Sequence, residues 1–192
     1  MRGMRYLAVL VLLAAGAAGA AFPDKPVRLV TPYPPGGGTD LVARAMAQSF
    51  AKAWGQPVVV DNRGSGGGVI AAQMVAAAAP DGYTLLGCSS SLTISPSIYP
   101  NLSYDNNRDL APVSLLASGP LVLVVHPSLP VRSTSELIAF ARARPGQLVL
   151  ASSGLGSLPH LSAELFASMT GIKLIHVPYK GPSAALIDLL SG

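Results

Sequence analysis

Along the chain, apolar residues switch repeatedly between runs of strand length and helical spacing, and each switch is marked by Gly or Pro. Residues 25–31 (KPVRLVT) are rich in apolar and β-branched side chains and run into Pro32-Tyr33-Pro34-Pro35-Gly36-Gly37-Gly38, which neither a helix nor a central strand tolerates. This predicts a strand and then a loop. From Asp40 the apolar positions Leu41, Ala45, Phe50 and Trp54 recur at helical spacing, and Gly55 stands where a left-handed cap would end a helix. Residues 57–61 (PVVVD) read as a second strand, 63–68 as a second glycine loop, 69–79 as an alanine-rich helix and 83–87 as a third strand. Strands alternating with helices predict a parallel sheet with covered faces.

Residues 89–112 are polar and irregular. The run 121–126 (LVLVVH) lies between Pro120 and Pro127 and predicts a strand buried on both faces. Ser133 followed by Glu136 forms a capping box for a helix over 135–144, which Pro145-Gly146 stops. Then come a strand at 148–152, a glycine loop at 153–157, a helix at 158–170 capped by Gly171, a strand at 173–177 and a helix at 183–190. The order from Leu148 repeats the order from Leu29 without its closing strand. The expected architecture is therefore α/β, with two lobes of parallel-rich sheet, residues 22–119 and 120–192, and the second lobe incomplete at its end.

Composition narrows the class. Of 192 residues, 50% are hydrophobic and 11% charged, which excludes a disordered chain. Arg2 and Arg5, an apolar stretch over 6–15 and the small residues Ala18-Gly19-Ala20-Ala21 predict an export signal over 1–21, cleaved after Ala20 or Ala21. Its loss lowers the net charge of +4 by two, and the remaining Lys and Arg form neither a nucleic-acid stripe nor a membrane patch. Cys88 is the one cysteine, so no internal disulfide is possible, and it reads as a buried strand residue. The three histidines lack metal-ligand spacing, no G-K-[ST] is present, and no cofactor is implied.

Ligands of open parallel sheets bind beyond the strands' carboxyl ends, where helix N-termini point. The sequence places Pro35, Gly36, Gly37, Gly38, Thr39 and Asp40 at one such end, and Ser153, Gly154, Gly156, Ser157 and His160 at another; Ser90 and Ser91 follow the third strand. The two glycine loops are expected to face each other and to offer unobstructed amides to an anion. Neither holds Lys or Arg, which favours a small carboxylate over a phosphate. Asp40 has two readings, helix cap or ligand contact. His160 is a hydrogen-bond donor to ligand or loop, whereas His126 and His176 adjoin apolar strands as structural residues. Two rival readings stand beside these. Ser157, His160 and Glu164 at helical spacing suggest a serine hydrolase, although no G-x-S-x-G elbow surrounds any serine. The loop from Arg63 to Gly68 suggests a nucleotide module, although Val69 occupies the place of the last glycine of G-x-G-x-x-G.

The segments PYPPGGGTDLVAR, DNRGSGGGVIAA, PDGYTLL, SSGLGSLPHLSAELF and HVPYKG resemble the Bug family, extracytoplasmic solute-binding proteins of tripartite tricarboxylate transporters. The resemblance covers nearly all of the chain after residue 21. It implies a two-lobed, type II periplasmic-binding-protein-like fold, a periplasmic location, a small organic acid as ligand (a di- or tricarboxylate, amino acid or aromatic acid), membrane permease subunits as partners, and no catalysis. It further implies that the loops matching 34–40 and 153–160 grip a carboxylate and that 89–93 (SSSLT) shapes specificity. Leu155 and Pro159 depart from the small or polar residues of many members. Members also run on by roughly a hundred residues, so this chain is expected to be a truncated form with impaired function.

Overall fold

The structure is a computed structural model that describes residues 22–64 and 66–192; the export signal expected at 1–21 lies outside the described residues. The first unit is built on β1 (Val27–Thr31), α1 (Gly38–Trp54), β2 (Val58–Asn62), α2 (Val69–Ala76), β3 (Thr84–Leu86) and α3 (Ser91–Ile98). Its strands form a parallel sheet in the order β2-β1-β3, with Val27 beside Val58 and Arg28 beside Thr84. Helix α1 packs against β1 and β2, α2 against β3 and β1. Central β1 is therefore covered, and Val27 and Val30 are fully buried with Ala43, Ala71 and Ala72 against them. Small alanines on both helices let backbone approach sheet closely, which places the core here.

The second unit comprises α4 (Thr134–Ala143), β4 (Leu148–Ser152), α5 (Leu158–Thr170), β5 (Leu174–Pro178) and α6 (Pro182–Ser191). β4 and β5 pair in parallel, Leu148 beside Leu174. Its local punctuation follows the sequence. Ser133 Oγ accepts the Glu136 amide at 3.2 Å, while the Glu136 carboxylate reaches back one residue further than a standard capping box, to the Arg132 amide at 2.7 Å. Gly171 ends α5 at φ 66°, and Arg142 of α4 donates to the Thr170 carbonyl there. Unlike β1, these strands leave large side chains in solvent: Val149 is 63% exposed and Ile175 49%.

Three expectations need correction. The run 121–126 forms no strand, and Val122 is 74% exposed. An apolar run records a preference for burial, but a strand also needs a neighbour for its N–H and C=O groups, and no described strand lies along it. The region 89–112 is not wholly irregular: it contains α3, despite Pro96 inside it. Proline cannot donate to the Leu92 carbonyl, and Ser95 Oγ (2.9 Å) and Asn106 Nδ2 (2.6 Å) supply that carbonyl instead. Cys88 is exposed, because β3 ends at Leu86 and leaves the thiol in the following loop.

Candidate functional site

The carboxyl ends of β1, β2, β4 and β5 lead into one cleft at the junction of the two units. Beyond β1 lie Pro32 and Tyr33, beyond β2 Gly67, beyond β4 the residues Ser153, Gly154 and Leu155, and beyond β5 Tyr179 and Lys180. Together with Tyr99 at the end of α3 and Pro178, these line a cleft of about 180 Å³. That is below the roughly 300–1,000 Å³ of pockets for drug-sized ligands, so it suits a small molecule. Lys180 is the sole charged residue among the lining.

Backbone closes the junction. A Cβ placed on Gly67 would lie 2.6 Å from the Leu155 carbonyl oxygen, one on Gly156 3.4 Å from Ile98, and one on Gly37 3.1 Å from Pro182. Gly67 also has φ 63°, a conformation glycine adopts without strain. The loops therefore meet in a pairing other than the one expected. The Gly36–Gly37 turn opposes the start of α6, where Ser183 Oγ stands 3.7 Å from the Gly36 Cβ position, and the Ser153–Leu155 wall opposes Gly67. Linear sequence lists the loops at the strand ends but contains no signal for which loop of one unit meets which of the other.

Of the residues singled out from sequence, Ser153 and Gly154 line the cleft. Pro35, Gly36, Gly37, Gly38 and Thr39 are not among its lining residues; Gly36 and Gly37 stand instead against Pro182 and Ser183, where α1 begins against α6. Among the described residues no acceptor meets the amides of Gly38 and Thr39, the open first turn of α1. The Gly36 amide is already taken: it donates to Asp40 Oδ2 at 2.9 Å. Asp40 is buried and also accepts from Arg44 Nε (2.9 Å) and Asn62 Nδ2 (2.8 Å). Burial pushes its pKa up, but the bonds from Arg44, Gly36 and Asn62 outweigh burial and hold the carboxyl below its ordinary value. Asp40 thus staples the turn to α1 and β2, with Gly37 in the N-cap position.

Ser91 is buried behind the cleft wall. Its hydroxyl stands 3.2 Å from Tyr33 Oη and 2.8 Å from Ser89 Oγ, so it supports a lining residue, while Ser90 is exposed. Ser157 is fully buried as the N-cap of α5, accepting the His160 amide at 3.4 Å. His160 Nδ1 accepts the Gly156 amide at 3.2 Å, and its ring stacks on His176 with centroids 3.9 Å apart. His160 is an acceptor toward its own loop, where donation was expected. No imidazole nitrogen reaches Ser157 Oγ among the bonds of the described residues, so the hydrolase constellation is not assembled. Among the described residues no group of three or more His, Cys, Asp or Glu side chains could hold a metal ion.

Tyr33, Gly67, Tyr99, Pro178, Tyr179 and Lys180 were missed as site residues. Tyr33 and Lys180 stand inside the motifs PYPPGGGTD and HVPYKG, immediately beyond strand ends, and that position was the available signal.

Two parallel sheets whose strand ends lead into a shared cleft give the chain a two-unit α/β architecture. A family model for the tripartite tricarboxylate transporter family receptor, TctC, matches residues 42–192, and the chain belongs to that family. It is 44% identical to protein BugT of Bordetella pertussis over 100% of this chain and 61% of the relative. It is 43% identical to a protein of the tcbD-tcbE intergenic region of Pseudomonas sp., over 90% of this chain and 51% of the relative. Among solved structures, Rpa4515 of R. palustris with adipate superposes with a TM-score of 0.86 at 42% identity, over 89% of this chain and 57% of that one. MatC from Rhodopseudomonas palustris with bound malate gives 0.78 at 33%, over 88% and 57%, and the periplasmic binding protein BugD 0.76 at 32%, over 88% and 56%. The chain spans between about half and three-fifths of the length of these relatives.

Proposed function

We propose that this chain carries the ligand-gripping cleft of an extracytoplasmic solute-binding protein that captures a small organic carboxylate for a tripartite tricarboxylate-type transporter. The observation that carries the reading is that Lys180 is the single charged residue lining one small cleft and that the N-termini of α1 and α6, neither capped by a side chain, meet two residues beyond it at Gly37 and Pro182. That field selects an anion, and the limited volume selects a short one. The relatives' bound adipate and malate are both dicarboxylates, which supports this ligand class. The two lobes would be residues 22–119 and 120–192, and closure about their junction would trap the acid by differential contacts in the closed form. The site residues would be those lining the cleft, with the 35–39 turn where α1 begins against α6.

The reading extends to permease subunits in the membrane as partners, to a periplasmic location reached through the segment 1–21, and to binding without catalysis. Isothermal titration of the chain with adipate, malate, citrate and glutamate is the test. Saturable heat with at least one acid, weakened by added salt, is expected. No heat with any acid, from this chain and from a form extended to the length of its relatives, would overturn the reading.

A further inference from the structure

We propose that His160 and His176 are a positioning pair beneath the cleft, and that uncharged His160 holds the Ser153–Leu155 wall in its ligand-facing shape. The wall has little stiffness of its own. Gly154 has φ 129° and Gly156 φ 73°, so flexible residues flank Leu155 on both sides. What fixes it comes from below. Ser152 Oγ bonds both the amide and the carbonyl of Gly154 at 3.2 Å, and lies 2.7 Å from His176 Nε2. His160 Nδ1 accepts the Gly156 amide at 3.2 Å, so in this state its proton sits on Nε2, facing Glu164 Oε1 at 3.8 Å. The two rings lie 3.9 Å apart at an interplanar angle of 16°. One stacked unit therefore pins the amides on either side of Leu155, whose carbonyl meets Gly67 and accepts the Tyr99 hydroxyl at 3.5 Å.

Protonation undoes this arrangement. An imidazolium donates from both nitrogens, so His160 would turn a donor toward the Gly156 donor, and Glu164 would draw the charged ring away. The surrounding groups are few. α5 contributes Glu164 and β5 His176; β4, residues 153–157 and α3 contribute no titratable side chain; Lys173 and Lys180 lie beyond the ends of β5; Asp188 of α6 accepts from the Tyr179 hydroxyl. Burial, and then the neighbouring His160, keep His176 neutral to lower pH than an ordinary imidazole. The effect on affinity rests on the carboxylate reading above; the effect on the wall does not.

The test combines adipate titration with NMR of the Gly156 amide on the unliganded chain, both from about pH 7.5 to about pH 5. Adipate affinity is expected to fall about tenfold on acidification, with the Gly156 amide shift following the His160 titration. In His160→Asn the amide oxygen stands in for Nδ1 without titrating. That variant is expected to bind within about threefold of wild type at neutral pH and to lose the acid step, whereas His160→Ala binds weakly throughout. An acid step retained in His160→Asn, or a Gly156 amide indifferent to the charge on His160, would overturn the proposal. Absence of adipate binding at every pH would count against the carboxylate reading, and the Gly156 titration would still decide this one. If His160→Ala fails to fold, His160→Asn and wild type carry the comparison.

Discussion

Removing the Asp40 carboxylate tests how the first glycine turn is held. The side chain is 3% exposed and accepts from three donors on three segments: Gly36 in the turn, Arg44 one helical turn on, and Asn62 at the end of β2. Asp40→Ala removes the partner of the Gly36 amide, and because Gly36 is exposed water partly replaces it, so this loss is about 1 kcal/mol. Asn62 Nδ2 keeps Thr31 Oγ1 and the Tyr33 carbonyl, so its loss is also about 1 kcal/mol. The Arg44 guanidinium is 52% exposed, and its bond adds less than about 1 kcal/mol. The expected total is about 2–3 kcal/mol, a large share of the roughly 5–15 kcal/mol that holds a domain folded. Asp40→Asn keeps one acceptor and turns its NH₂ toward a donor, for an expected loss of about half as much.

The pH dependence has a defined sign. Because the folded-state pKa is lowered, the stabilisation is present above the ordinary value of 3.8 and is lost as pH falls through the folded value. Urea unfolding followed by far-UV circular dichroism, at neutral pH and at intervals down the acid limb, measures both effects. A loss below about 1 kcal/mol for Asp40→Ala would refute the staple and reopen a ligand contact for this carboxylate.

Gly67→Ala places a methyl group against the Leu155 carbonyl at 2.6 Å, so the two walls cannot close. Adipate affinity is expected to drop by at least about tenfold by calorimetry with the melting temperature shifted by only a few degrees; unchanged affinity would show that closure is not needed. Lys180→Met removes the cleft's cation and is expected to weaken adipate binding about tenfold and flatten its salt dependence, whereas an unaltered salt slope would take Lys180 out of the site. Ser157→Ala removes the α5 cap at a cost of about 1 kcal/mol in urea unfolding. Ester turnover by wild type that vanishes in Ser157→Ala would contradict the capping role.

Where structure is decided within a few residues, the chain could be read closely. Strand β4 and helix α5 fall at 148–152 and 158–170 as expected, because Ser157 caps the helix, Gly171 stops it in the left-handed region and the intervening glycines permit no regular element. Helix α3 escaped because its one helix breaker, Pro96, is compensated by Ser95 and by Asn106 ten residues further on, and side-chain rescue of a carbonyl leaves no periodic trace. The run 121–126 failed in the opposite sense. Its hydrophobicity was plain, but pairing depends on a partner strand that local pattern cannot supply. The candidate site divides the same way. Strand ends and helix starts marked Ser153 and Gly154 from sequence, while the opposition of Gly67 to Leu155 and of Gly37 to Pro182 follows from how two rigid units meet.

That meeting has an electrostatic consequence. α1 and α6 begin so near each other that a Cβ on Gly37 would lie 3.1 Å from the Pro182 side chain, and each N-terminus carries the equivalent of about half a positive charge. Like ends brought together repel, so the joined arrangement of the two units is costliest when no anion lies near them. A carboxylate at this junction turns that repulsion into shared attraction, and it does so only while both helices face it. On the proposed function the acid is therefore the agent that favours the closed form, with an affinity set by the difference between its contacts there and in an opened state. On that proposal the helix ends would hold the charge and leave the carbon skeleton to Tyr33, Tyr99 and Leu155, which line the cleft.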